Sequence, residues 1–207
     1  MKFILICATG RSGSTTLQRI INSIEGANIR GENWGAVNDL LNCYKNIKKT
    51  NKCRIKKYVE GETKIKPAWY NCFDYEVVRE SIKNTIMSII YDKSESYSGF
   101  KEIRYMNCIH LIDEFIELFP DTKVICHISD DLDRQCKSGW YEGPSTKPGL
   151  QKQNNELIQY TKNKNNCFLS YMKNLFDISE VRKLFEFLDE ELDEKKYQSI
   201  INSNLKD

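Results

Sequence analysis

Basic, hydroxyl-bearing and glycine residues are concentrated in residues 9–16, close to the N-terminus of this 207-residue chain. Arg11 is a permanent cation, and Gly10 and Gly13 allow positive φ and a close approach of the backbone. The hydroxyl donors of the stretch are Ser12, Ser14, Thr15 and Thr16. These residue types favour the binding of an anion.

The stretch lies between a predicted strand and a predicted helix. Residues 3–8 are apolar without alternation, as in a buried parallel strand, and apolar residues then recur at helical spacing up to Ile24. The N–H groups and the dipole of the helix N-terminus therefore converge on the loop, which predicts an anion site. An ordinary glycine–serine turn before a helix is the alternative interpretation.

The loop does not match the Walker A pattern of Gly, four residues, then Gly-Lys-Ser/Thr. Ala8 stands at the first glycine position and Ser14 at the lysine position. A P-loop kinase of atypical type remains an alternative, because Asp130 and Asp131 follow an apolar strand as a Walker B aspartate would.

Predicted strands alternate with predicted helices along the whole chain. The strands are expected at residues 2–8, 27–30, 97–105 and 123–128, and the helices at 36–44, 75–91, 109–119, 131–138, 150–163, 181–188 and 194–202. This alternation predicts an α/β fold, a central parallel sheet flanked by helices, in one domain over residues 1–207. Three stretches, 9–16, 101–104 and 129–138, fall at the carboxyl ends of strands, where such sheets bind ligands.

Composition narrows the classes of partner. A net charge of +2 gives no field that demands nucleic acid, and the eight cysteines form no C-x-x-C pair, so no metal is expected. With no targeting segment and no apolar stretch of membrane-spanning length, we expect a cytoplasmic protein without a membrane partner. A basic run over residues 45–57 indicates either a solvated surface loop or a docking surface for an anionic acceptor.

Arg11-Ser12-Gly13-Ser14-Thr15 resembles the 5′-phosphosulfate loop of sulfotransferases that use 3′-phosphoadenosine 5′-phosphosulfate (PAPS). Weaker resemblances to this family follow in order: Gly31-Glu32-Asn33, Gly99-Phe100-Lys101-Glu102-Ile103-Arg104, Ser138-Gly139-Trp140 and Leu184-Phe185-Glu186-Phe187-Leu188-Asp189. The resemblance implies a P-loop NTPase-like sulfotransferase fold, PAPS as donor, no metal, and transfer to a hydroxyl of a small molecule or glycan, possibly anionic.

Sulfuryl transfer, like phosphoryl transfer, is an in-line displacement that relies on positioning and fixed positive charge. Arg11 is expected to neutralise the leaving phosphate, and Lys101 or Arg104 to add charge near the sulfuryl group. Glu32 is the candidate general base, since the related branch of the family places a base in this loop. Solvated or capping roles for these charged residues remain alternatives.

The two histidines of the chain have different expected roles. His110 is the second candidate base, because cytosolic members use a histidine, but its apolar neighbours favour a packing or capping role. His127 lies within a predicted strand and is expected to be structural.

The chain departs from the family at the donor's 3′-phosphate site. The family has an Arg at the end of the later strand and a Ser eight residues on, whereas this chain has Ser129 and Asp130 at the strand end. Arg134 and Ser138 are predicted to rebuild the site; alternatively Arg134 forms a salt bridge with Asp130. A catalytically inactive sulfotransferase-like binding protein is therefore a third alternative.

Overall fold

The computed structural model describes residues 2–59, 73–91, 96–105, 108–138 and 146–203, and for residues 52–59 only the backbone. Five parallel strands form one sheet in the order β2-β3-β1-β4-β5. The strands are β1 (Lys2–Ala8), β2 (Ala27–Arg30), β3 (Tyr97–Glu102), β4 (Thr122–Ile128) and β5 (Cys167–Tyr171). The helices are α1 (Ser14–Ile21), α2 (Ala36–Val59), α3 (Tyr75–Ile90), α4 (Leu111–Leu118), α5 (Leu132–Cys136), α6 (Thr146–Thr161), α7 (Ile178–Leu188) and α8 (Glu194–Asn202).

Strand β1 is the centre of the sheet and is buried on both faces. Its side chains alternate between two apolar cores: Phe3, Leu5 and Cys7 enter one, and Ile4, Ile6 and Ala8 enter the other. Gly99 of β3 lies opposite Ile4, and a Cβ at that glycine would meet the Ile4 carbonyl oxygen at 1.8 Å. The sheet therefore depends on apolar residues at its centre and on one glycine beside them.

Helices cover both faces of the sheet. Residues of α2, α3, α4 and α6 pack in the core that contains Phe3, whereas α1, α7 and α8 pack in the core that contains Ile4. This arrangement confirms the predicted α/β fold with a parallel central sheet. Among the helices of the described ranges, none has both the length and the apolar character needed to span a membrane.

Helix α2 corrects the prediction for the basic run. The sequence predicted a helix over 36–44 and favoured a surface loop after it, whereas one helix runs over Ala36–Val59. Lysine and arginine have high helix propensity, and no glycine or proline interrupts this stretch. Tyr44 and Ile47 continue the apolar stripe, and Lys48 pairs with Glu114 at 2.6 Å and with Glu117, both on α4. Part of the basic run is thus neutralised within the fold.

Strand β5 and the turn after it were not predicted. Cys167–Tyr171 is a short, half-buried strand at the sheet edge, where the apolar pattern is weakest. A 3₁₀ helix over Met172–Phe176 follows it and brings two apolar side chains to the carboxyl edge of the sheet.

Candidate functional site

A cleft of about 830 Å³ opens at the carboxyl ends of the central strands. Its lining brings together the three stretches that the sequence singled out. The described lining residues are Gly10, Arg11, Gly13, Ser14, Thr15, Thr16, Glu32, Lys101, Ile103, Arg134, Lys137, Ser138, Met172, Phe176, Ile201, Asn202 and Ser203. The order β3-β1-β4 explains the convergence, because the loops that follow these three adjacent strands share one edge.

The loop between β1 and α1 has two residues in the left-handed region, Arg11 at φ 58° and Gly13 at φ 86°. A Cβ at Gly13 would lie 1.9 Å from Met172 Sδ, so the glycine is needed for space as well as for its backbone. Met172 thereby covers the turn from the side of β5.

Three carbonyl groups of this loop are bound from the protein interior. Thr9 O accepts from Ser12 Oγ at 2.7 Å, Gly10 O from Gln135 Nε2 at 2.8 Å, and Ser12 O from His127 Nε2 at 2.9 Å. Ser12 thus differs from its prediction as a hydroxyl donor for the ligand, because its buried hydroxyl closes the loop instead.

The orientation of these carbonyl groups decides where the loop N–H groups point. In a trans peptide the C=O and the following N–H point in opposite directions. With the carbonyls of Thr9, Gly10 and Ser12 directed inward, the N–H groups of the next residues point away from the interior donors. Those next residues, Gly10, Arg11 and Gly13, line the cleft. The loop therefore offers donors to an anion in the cleft.

His127 and Gln135 support the loop from beneath. His127 is fully buried, and its Nδ1 lies 3.0 Å from Ser170 Oγ, so the hydroxyl donates to Nδ1 while Nε2 donates to the loop. Burial lowers the pKa of His127 to about 4, which keeps the ring neutral. The structural role predicted for His127 is confirmed; Gln135 and Ser170 were missed, because nothing in the sequence links them to the loop.

The N-terminus of α1 is open to an anion. Gly13 is its N-cap and supplies no side-chain acceptor, and the first turn contains no acidic residue. The first N–H groups of a helix have no intrahelical partner. Ser14, Thr15 and Thr16 line the cleft at this end of the helix.

Glu32 and Lys101 form an ion pair on the opposite side of the cleft. Lys101 Nζ lies 2.7 Å from Glu32 Oε1, and the lysine is only 8% exposed. Arg104 Nη1 lies 3.0 Å from Glu32 Oε2 and 2.7 Å from Glu102 Oε1. Two cations therefore hold the Glu32 carboxylate, with Lys101 in the cleft lining and Arg104 behind it.

Glu102 is a positioning residue that the sequence analysis did not single out. Its buried carboxylate accepts the N–H groups of Ile103 at 2.9 Å, Arg104 at 3.1 Å and Gly35 at 3.3 Å. It joins the loop after β3 to the loop after β2, which carries Glu32. The sequence feature that could have indicated Glu102 is a carboxylate at the last position of a buried strand.

The stretch after β4 contributes Arg134, Lys137 and Ser138 to the cleft lining. Arg134 Nη2 lies 3.4 Å from Ser129 Oγ, and Ser138 Oγ donates to the Gln135 carbonyl at 2.7 Å. Arg134 and Lys137 are three residues apart, which places them on one side of the short helix α5 and the turn after it. The other two residues of the predicted Ser138-Gly139-Trp140 motif lie outside the described residues.

The acidic side chains of this stretch form ion pairs or cap a helix. Asp130 pairs with Lys173 at 3.1 Å, and not with Arg134 as one interpretation held. Asp133 pairs with Lys147 at 2.6 Å. Asp131 caps α5 by accepting the backbone N–H of Arg134 at 2.8 Å. The repulsion expected between this stretch and a phosphate is thereby reduced.

Three cations of the cleft lining have no carboxylate partner among the described residues. In the described part of the chain, Arg11, Arg134 and Lys137 form no ion pair with Asp or Glu, unlike Lys101. This gives the cleft a surplus of cations on the side of the anion loop and α5.

Two further features bear on the predicted chemistry. His110, the second candidate base, is exposed at the start of α4 and lies away from the described cleft lining. Its Nε2 atom lies 2.8 Å from Lys45 Nζ.

Across the described ranges, no three His, Cys, Asp or Glu side chains are grouped so that they could hold a metal ion.

Comparison with known protein families finds a match. No curated protein matches the chain. The model of the Sulfotransferase family matches residues 4–141, which is more than half of the chain and runs from β1 through the anion loop, Glu32 and Lys101 to α5. The chain therefore belongs to the sulfotransferase family.

Proposed function

We propose that the chain transfers a sulfuryl group from PAPS to a hydroxyl of a small molecule or glycan. The observation that carries this proposal is the cleft itself. It combines an anion loop at an uncapped helix N-terminus, an ion-paired carboxylate, and two cations of α5 and its following turn that form no ion pair among the described residues. The proposal rests also on membership of the sulfotransferase family.

The two sides of the cleft fit the two phosphate groups of the donor. The loop N–H groups, Arg11 and the hydroxyls of the first turn of α1 would hold the 5′-phosphosulfate. Arg134 and Lys137 would hold the 3′-phosphate in place of the arginine that the family has at the strand end, with Ser138 beside them.

The reaction forms one S–O bond to the acceptor oxygen and breaks the S–O bond to the donor phosphate. Glu32 takes the acceptor proton, and Arg11 with the loop N–H groups stabilises the charge on the departing 3′,5′-ADP phosphate. A proton on Glu32 neutralises its carboxylate and weakens its pairing with Lys101. The ammonium group is then free to stabilise negative charge on the sulfuryl oxygens.

Ligand-induced thermal stabilisation tests the donor assignment, because a ligand that binds the native state raises the unfolding temperature. The panel is 3′,5′-ADP, 5′-AMP, ADP and ATP, each with and without Mg²⁺. We expect 3′,5′-ADP to stabilise the chain most, without Mg²⁺. If only ATP in the presence of Mg²⁺ stabilises the chain, an atypical P-loop kinase is favoured. If no nucleotide raises the unfolding temperature, a non-catalytic binding protein is favoured.

We also propose that residues 1–207 form a single domain. The C-terminal helices support this, because Tyr197 of α8 is buried and donates to the Leu175 carbonyl, and Lys196 donates to the Ser23 carbonyl after α1. The N- and C-terminal parts thus share one core.

A further inference from the structure

Gln135 anchors the short helix α5 to the anion loop. It is fully buried, whereas the other four residues of α5 are exposed or half-buried. Its Nε2 group donates to the Gly10 carbonyl at 2.8 Å and to Thr9 Oγ1 at 3.2 Å. Both N–H bonds of the amide are thus used, which fixes the orientation of the side chain. The amide therefore sets the distance between α5 and the loop.

Gly10 and Arg11 share the peptide group that Gln135 binds. The peptide is trans, so its carbonyl oxygen, on Gly10, and its N–H group, on Arg11, point in opposite directions. The carbonyl accepts from Gln135, which leaves the N–H group for a ligand in the cleft. An anion bound to that N–H group polarises the peptide and strengthens the hydrogen bond on its carbonyl. A phosphate in the loop therefore tightens the contact between the loop and α5.

The other end of this contact leads to the cations of the cleft. Arg134 precedes Gln135 in the chain, and Lys137 follows it by two residues; both cations line the cleft. The Gln135 carbonyl accepts from Ser138 Oγ at 2.7 Å, and its backbone N–H donates to the Asp131 carbonyl at 3.2 Å. A shift of Gln135 therefore moves the two cations and the Ser138 hydroxyl together.

The amide of Gln135 is not explained by the filling of space. Its Oε1 atom is buried and has no hydrogen-bond partner among the described residues. A buried carbonyl oxygen without a partner is unfavourable for folding, and an apolar side chain of the same length would avoid it. What Gln135 provides beyond its volume is the pair of hydrogen bonds to the loop.

We propose that Gln135 is a positioning residue that couples the two phosphate subsites of the donor, the anion loop and the α5 cations; this rests on the proposed function. The loop takes the 5′-phosphosulfate and the cations take the 3′-phosphate. Coupling is reciprocal, so each phosphate binds more tightly when the other subsite is occupied. The chain then discriminates a nucleoside 3′,5′-bisphosphate from nucleotides with one phosphate group more strongly than two separate contacts would.

Four ligands that form a cycle measure the coupling: adenosine, 3′-AMP, 5′-AMP and 3′,5′-ADP. The coupling factor is the gain in affinity from the 3′-phosphate when the 5′-phosphate is present, divided by the same gain when it is absent. Isothermal titration calorimetry gives the dissociation constants, and the weaker ligands are measured by competition with 3′,5′-ADP. We expect a coupling factor of about five in the wild type.

Gln135→Met tests the residue, because methionine keeps the length of the side chain and removes both hydrogen bonds. Gln159→Met is the matched control, since Gln159 is exposed on α6 and does not line the cleft. We expect the coupling factor to fall to near one in Gln135→Met and to keep its wild-type value in Gln159→Met. A merely structural role would weaken all four ligands alike and leave the factor unchanged, and that result would overturn the proposal.

The wild type alone tests the coupling if Gln135→Met does not fold. A coupling factor of one in the wild type, with 3′,5′-ADP bound more tightly than 5′-AMP, would refute the coupling while the proposed function stands. Failure of the wild type to bind 3′,5′-ADP would instead overturn the proposed function, and the coupling with it.

Discussion

Replacing Arg134 by alanine isolates the contact between this chain and the donor's 3′-phosphate. The ligands 3′,5′-ADP and 5′-AMP differ only in that phosphate, so the ratio of their affinities measures its contacts. Arg134 lines the cleft and has no carboxylate partner among the described residues. We expect the wild type to prefer 3′,5′-ADP and Arg134→Ala to lose most of this preference.

The structure sets the size of the effect. A hydrogen bond to a charged group contributes about 1.5–3 kcal/mol, which corresponds to roughly ten- to a hundredfold in affinity. Arg134 is exposed, so water screens its charge and the lower end, about tenfold, applies. Asp130 and Asp133 reduce the preference little, because Lys173 and Lys147 neutralise them.

The substitution leaves the local fold in place. Asp131 caps α5 through the backbone N–H of residue 134, which alanine retains. Among the described residues, the Arg134 side chain makes only the 3.4 Å hydrogen bond to Ser129. Binding of 5′-AMP is therefore expected to stay unchanged, since the anion loop holds the 5′-phosphate independently.

Isothermal titration calorimetry of both ligands on three chains is the assay. Lys152→Ala is the matched control, because this lysine is an exposed cation on α6 that does not line the cleft. Equal affinity of the wild type for the two ligands would refute the rebuilt 3′-phosphate site. If Arg134→Ala prefers 3′,5′-ADP over 5′-AMP as strongly as the wild type does, Arg134 does not contribute to the 3′-phosphate site.

Three further predictions concern the loop, the base and the buried histidine. Arg11→Ala should lower single-turnover transfer by about a hundredfold, near 3 kcal/mol, at nearly unchanged stability, because Arg11 is exposed and makes no ion pair among the described residues; unchanged turnover in the folded variant would rule out its role. Glu32→Gln should keep 3′,5′-ADP binding but lower transfer by roughly 10²–10⁴-fold, and full activity across the pH range would exclude Glu32 as base. Because burial lowers the pKa of His127 from 6.5 to about 4, the unfolded state binds more protons between these values. The free energy of unfolding is then fully kept above pH 6.5 and falls as the pH drops towards 4, by about 2 kcal/mol at pH 5. Urea unfolding of the wild type and His127→Gln at pH 7 and pH 5 measures this, and an equal pH dependence in both chains would contradict it.

The sequence by itself determined the sheet centre and predicted the anion loop. The apolar run of β1 and the glycines of the next turn are local patterns, and they suffice because a buried parallel strand and a helix N-terminus each have a characteristic spacing. The same reasoning placed Glu32, Lys101 and Arg134 at strand ends, where parallel strands deliver them to one edge.

Tertiary structure alone decided which side chains support the carboxyl edge of the sheet and which charged side chains form ion pairs. Gln135 and His127 bind loop carbonyls from more than 100 residues away in sequence, a pairing that no local pattern encodes. Lys173, on the unpredicted turn after β5, takes the carboxylate of Asp130 and leaves Arg134 to the cleft. Ion pairing depends on distance in space, so the sequence could place the charges but could not assign their partners.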